Sequence, residues 1–148
     1  MKYYEDFDVG DAFESHRTYR VTAEELKSYA RQWDPHPYHV DESYAKKTLV
    51  GQLFAPSMLT LAISTRLSHD TGYYEMSTVA GLGIDDVRMH KPVLVEEQLK
   101  VKITIISKRT SKSKPGLGIV TTKHDVINQN NDVVLSYTLS ALVNQKPQ

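Results

Sequence analysis

One short segment, Trp33-Asp34-Pro35-His36-Pro37-Tyr38-His39-Val40-Asp41, gathers two carboxylates and two imidazoles around a pair of prolines. Proline locks φ, so two of them at alternate positions make an irregular but stiff support for Asp34, His36 and His39. Stiffness is what acid–base chemistry requires. A carboxylate and an imidazole, each about 3 Å from the same water, can take a proton from it and hand one to carbon. Histidine suits the task because its ordinary pKa, about 6.5, is easily tuned by a neighbouring carboxylate. The same residues also have plain structural uses, since Asp before Pro ends helices and histidines are common in turns. Spacing alone leaves both readings open, and solvent is the expected surrounding of His36.

Helices should flank this segment. Thr22-Ala23-Glu24-Glu25 is a capping box in which Thr22 accepts from the Glu25 backbone N–H and the Glu25 side chain returns to that of Thr22. Leu26, Tyr29, Ala30 and Trp33 then make one apolar face, and Asp34-Pro35 ends the helix because a residue before proline leaves the helical region. Asp41 through Lys46 reads as a short helix with Asp41 as N-cap. Gly51 opens a loop, and Ser57 suits the N-cap of a helix over Met58 to Leu67. That helix is apolar on nearly every side, so other structure should wrap it.

From about Thr78 the pattern changes to period two with β-branched residues: Val79 to Met89, Gln98 to Ile106, Gly118 to Ile127 and Val133 to Val143. Short strands near Ala12 to Tyr19 should join the same sheet. Lys91-Pro92, Lys114-Pro115-Gly116 and Asn128 to Asp132 carry turn residues, which predicts antiparallel meander connections. The expectation is an α+β domain spanning residues 1–148, with an antiparallel sheet around a long buried central helix.

The composition narrows the function. Among 148 residues, 18 Lys plus Arg balance 18 Asp plus Glu, so there is no global field for nucleic acid or an anionic membrane. Cysteine is absent, which removes thiolate nucleophiles and Cys-ligated zinc. No run reaches the roughly 20 apolar residues of a membrane span, and a soluble, cytoplasmic protein is expected. His36 and His39 lack a third convergent ligand, and no Gly-x-Gly opens a helix after a strand, so neither metal nor cofactor is expected. The basic stretch from Lys108 to Gly118 is either a solvated hairpin or a place for the phosphates of a bound ligand.

Asp34-Pro35-His36-Pro37-Tyr38-His39-Val40-Asp41 resembles the Asp-x-x-Pro-x-His-x-Asp motif of the MaoC-like acyl dehydratases, a hot-dog family that includes R-specific enoyl-CoA hydratases. The likeness continues through Phe7-Asp8-Val9-Gly10-Asp11, the Gly51 to Ala55 loop with its following helix, and Ser111 to Val120. The resemblance implies a catalytic pair at Asp34 and His39, with a backbone N–H at Ser57 polarising the thioester carbonyl. It implies an acyl-CoA or acyl-carrier-protein thioester as substrate, reversible hydration of its double bond, and a homodimer joined sheet edge to sheet edge. Two departures stand out. His36 replaces the Asn or Gln of many members, and Pro56-Ser57 replaces a pair ending in Gly, which crowds the carbonyl site and implies a narrower substrate range or lost activity. Two alternatives stay open, a hot-dog thioesterase and a non-catalytic acyl-thioester-binding module.

Overall fold

The computed structural model describes all 148 residues. Two short strands, β1 (Ala12–Glu14) and β2 (Tyr19–Arg20), precede α1 (Ala23–Trp33), the single-turn helices α2 (Pro37–Val40) and α3 (Glu42–Ala45), and α4 (Ser57–Ser68). Four long strands follow: β3 (Thr78–Met89), β4 (Gln98–Thr110), β5 (Leu117–Ile127) and β6 (Val133–Asn144). All pairings among the strands are antiparallel, in the order β1-β4-β5-β6-β3, with β2 added to β4.

The period-two pattern works as expected in β4 and β5. Leu99, Val101, Ile103 and Ile105 alternate inward on β4, and Val120, Thr122, His124 and Val126 do so on β5. Leu59, Ile63 and Leu67 of α4 meet them in one hydrophobic cluster, which also takes in Phe7, Val21, Leu26, Tyr73 and Tyr137. This is the α+β, hot-dog arrangement of a sheet set against a central helix.

Several expectations need correction. Strand β4 runs on to Thr110, past the expected end at Ile106, because a bulge between Ile105 and Ser107 turns Ile106 outward and lets pairing resume. Lys91-Pro92 does not turn between paired strands: β3 lies beside β6 at the sheet edge, so the chain crosses over to reach β4. Only β4-β5-β6 is a meander. The capping box is half formed. Thr22 accepts from the Glu25 N–H at 3.2 Å, but the Glu25 carboxylate instead accepts from the Tyr19 hydroxyl, tying β2 to α1. Helix α4 is covered on one side only within the chain, and Met58 on its other side is 64% exposed.

Close packing also fixes the N-terminal segment. A Cβ at Gly118 would collide with the Tyr4 ring, so only glycine fits beneath it. Lys108 donates to the carbonyls of Tyr4 and Phe7 and covers the Tyr4 ring, which occupies one cation of the basic stretch in structural work.

A polar chain crosses the core from helix to sheet. The hydroxyls of Ser64 and Tyr137 are 2.8 Å apart, and the His124 ring joins Tyr137 through Nδ1 and Thr122 through Nε2. Burial pushes the His124 pKa down to about 4, so the ring is held neutral. The unfolded chain, with an ordinary histidine, therefore binds more protons as pH falls below about 6.5, and stability drops until the folded-state value is passed. Denaturant titrations at pH 7 and pH 5 should differ by about 2 kcal/mol from this residue. In His124→Gln that difference should largely vanish.

Candidate active site

Helix α1 delivers Asp34 at its end. The Asp34 N–H closes the last turn on the Ala30 carbonyl, and the backbone then departs from helical geometry into Pro35 as expected. Pro37 opens α2, the first-turn position where its missing N–H is no loss. One turn suffices to swing His39 inward, and it is 3% exposed. Asp41 caps α3 by accepting from the Tyr44 N–H at 3.1 Å, as the sequence indicates. A Lys27–Glu42 ion pair at 2.7 Å clamps α1 to α3 across the segment and holds the Glu42 carboxyl below its usual pKa.

The His39 ring is set from both sides. Nδ1 lies 2.7 Å from the Phe54 carbonyl, an acceptor with no proton to offer, so Nδ1 must carry the hydrogen. In the neutral ring Nε2 is then the free lone pair, and it faces Asp34 Oδ2 at 3.4 Å. Tyr38 and Phe54 stack on each other and both meet the His39 ring edge to face. The Asp34 side chain is 51% exposed, so the pair sits at the boundary of core and solvent. Two acceptors so separated can share one water.

His36 lies outside this pair. It is exposed, as expected, and its ring lies against Tyr38 with centroids 3.6 Å apart and planes tilted by 31°. Its Nδ1 accepts from the Tyr38 N–H at 3.5 Å, serving as the N-cap of α2. Asn caps a helix in the same way, so Asn would serve the same local role at this position.

Ser57 is the first residue of α4, not its N-cap. Pro56 takes the cap position and has no side chain to offer, and the Ser57 hydroxyl turns instead to the Met89 sulfur. The first backbone acceptor bonds of the helix come from Leu59 and Thr60 to the Pro56 carbonyl, leaving the N–H groups of Ser57 and Met58 unpaired. A helix N-terminus with free donors favours negative charge on an oxygen placed there. Phe54, which orients His39, belongs to the same segment that leads into this helix. The inward turn of His39 onto Phe54 is the feature that sequence reasoning could not supply. No three His, Cys, Asp or Glu side chains converge as a metal would need.

Comparison with known proteins agrees with this architecture. The model of the MaoC like domain matches residues 6–128, and the chain belongs to that family. A MaoC-like dehydratase from Rhodospirillum rubrum superposes with a TM-score of 0.92 at 34% identity, over 100% of both chains. The unliganded R-hydratase PhaJ1 from Pseudomonas aeruginosa shares the fold at 22% identity, with a TM-score of 0.74 over 97% of this chain and 86% of that one. The uncharacterized protein YdeM of Bacillus subtilis (strain 168) is 28% identical over 139 residues, 94% of this chain and 96% of that protein.

The capping role of His36 is open to measurement. His36→Asn should keep the thermal stability of the parent, while His36→Ala should lower it by about 0.5–1 kcal/mol in a denaturant titration.

Proposed function

We propose that this chain is a single-domain hydro-lyase that reversibly hydrates a 2-enoyl thioester to the 3-hydroxyacyl thioester, with Asp34 and His39 as the acid–base pair. The observation that carries the reading is the fixed tautomer of His39: with Nδ1–H held by the Phe54 carbonyl, the Nε2 lone pair faces the Asp34 carboxylate across 3.4 Å. A water held between them loses a proton as its oxygen attacks the β-carbon. The π electrons move toward the thioester carbonyl, whose oxygen gains negative charge against the free Ser57 and Met58 N–H groups. The abstracted proton is then returned to the α-carbon on the same face, which makes the addition syn. The reverse sequence expels water. The steps call for no cofactor and no metal.

The substrate in this reading is an acyl-CoA or acyl-carrier-protein thioester, and the cytoplasm is the compartment. The functional unit is a homodimer. Strand β3 is a sheet edge with one free side, and Val79, Leu82 and Ile84 on it are exposed, as is Met58 on the open side of α4. An apolar edge of that length is a liability unless paired. Light scattering on the purified chain should give twice the monomer mass, and Ile84→Lys should shift it to monomer.

Crotonyl-CoA tests the chemistry. The parent protein should bleach the enoyl-thioester absorbance without releasing thiol, whereas thiol release would instead mark a thioesterase. Asp34→Asn and His39→Ala should each lose about 10²–10⁴-fold in rate while still folding, the first melting near the parent temperature and the second, which empties a buried ring site, melting lower. Ser57→Pro deletes the proposed carbonyl donor at a helix position that tolerates proline, and should lower kcat by roughly 10²–10³-fold. Undiminished hydration by the first two variants would overturn the assignment, and absence of turnover across enoyl chain lengths would favour an acyl-binding module.

A further inference from the structure

Beside the free N–H groups of α4 lies a cavity of about 210 Å³, walled by Ser57 and Thr60 of the helix, Met89 and His90 at the end of β3, and Val134 and Leu135 of β6. Most of that wall is apolar. Thr60 breaks the pattern: the residue is only 2% exposed, yet its hydroxyl makes no hydrogen bond. Helical threonines commonly turn the hydroxyl back to a carbonyl of the preceding turn, as Thr65 does to Leu61 at 3.1 Å. Every fully enclosed side-chain polar atom of the protein has a partner, so the unpartnered Thr60 hydroxyl is one that reaches the cavity. Opening onto the cavity, that hydroxyl is available to bond water or a polar group of a ligand seated there.

His90, an exposed residue at the rim of the cavity, adds a second polar group: its Nε2 is 2.8 Å from the Ser136 hydroxyl, which leaves Nδ1 open to water or ligand. The nearby cations are already neutralised, Lys91 by Asp132 at 3.0 Å and Arg88 by Asp86 at 2.9 Å. With Lys91 and Arg88 each engaged by an aspartate, and the N–H groups of α4 assigned to the thioester carbonyl, the polar groups left at Thr60 and His90 are neutral and suit a hydroxyl or a ketone better than a carboxylate. Its enclosed part, about 210 Å³, matches a short acyl tail, and its open side faces solvent.

We propose that this cavity receives the far end of the acyl group, and that the preferred substrates are short acyl thioesters carrying a neutral hydroxyl or keto substituent, selected by Thr60 and His90. The inference rests on the hydration reading for the identity of the thioester, and names the specificity of that same site. Thr60 determines specificity here; it takes no part in the proton transfers.

Binding of saturated analogues tests this without turnover. Calorimetry on the full chain should show 5-hydroxyhexanoyl-CoA binding at least about tenfold more tightly than hexanoyl-CoA, because a site built to bond a hydroxyl discriminates against its absence. In Thr60→Val, shown by its melt to be folded, the preference should fall to within about twofold through weaker binding of the hydroxylated analogue. Equal affinities in the parent protein, a preference retained by Thr60→Val, tighter binding of the carboxylate analogue adipoyl-CoA, or no binding of any of them would overturn the proposal. Hydration is read separately with the corresponding 2-enoyl thioesters. A binding preference that persists without hydration would sink the hydration reading and support the pocket assignment.

Discussion

Burial of one side of α4 against the sheet is the constraint on which the remaining geometry rests. Leu59, Ile63 and Leu67 recur along one helix stripe and enter the cluster that holds Leu99, Val101, Ile103 and Val126. Because the helix cannot roll or slide without exposing them, its N-terminus is a fixed point. The segment leading into it is pinned by the Ala55 N–H to the Val93 carbonyl at 2.8 Å and by the Phe54–Leu94 bridge. The Phe54 carbonyl is thereby a stationary acceptor, and the His39 ring takes its tautomer and direction from it.

Polar groups inside the core refine what apolar burial begins. Hydrophobic contact alone tolerates small rotations of a helix, whereas the Ser64–Tyr137–His124–Thr122 chain is satisfied only at one rotation and one height above the sheet. The neutral state of His124 follows from its burial, and with it the pH at which this part of the core weakens. Thr60 differs from these residues by having no protein partner, and it faces the cavity at the helix start. The two behaviours on one helix divide it into a start that borders the cavity and a length committed to the core.

Much of the fold was legible. Period-two texture and β-branched residues located all four long strands, although burial alternates only on β4 and β5 while β3 is exposed along nearly its whole length and β6 is buried in two runs, and the Thr22 and Asp41 caps set the starts of α1 and α3. The departures share a physical origin in competition from distant residues. Tyr19 takes the Glu25 carboxylate that local rules assign to the Thr22 N–H. Met89 takes the Ser57 hydroxyl that local rules assign to an N-cap. The position of β3 beside β6 could not be read from turn residues, because register across a crossover is decided by which faces bury together.

By itself the sequence determined a stiff Asp34-to-His39 segment between two helices, an apolar helix beginning near Ser57, and strands enough to cover it, because prolines, caps and periodicity act over only a few residues. Tertiary structure alone decided that His39 turns inward to the Phe54 carbonyl, that Lys108 is committed to the N-terminal backbone, and that the Thr60 hydroxyl opens onto the cavity instead of meeting a protein partner. Hydrogen-bond direction and enclosure belong to pairs of residues far apart in the chain, and only the packed helix and sheet bring those pairs within reach.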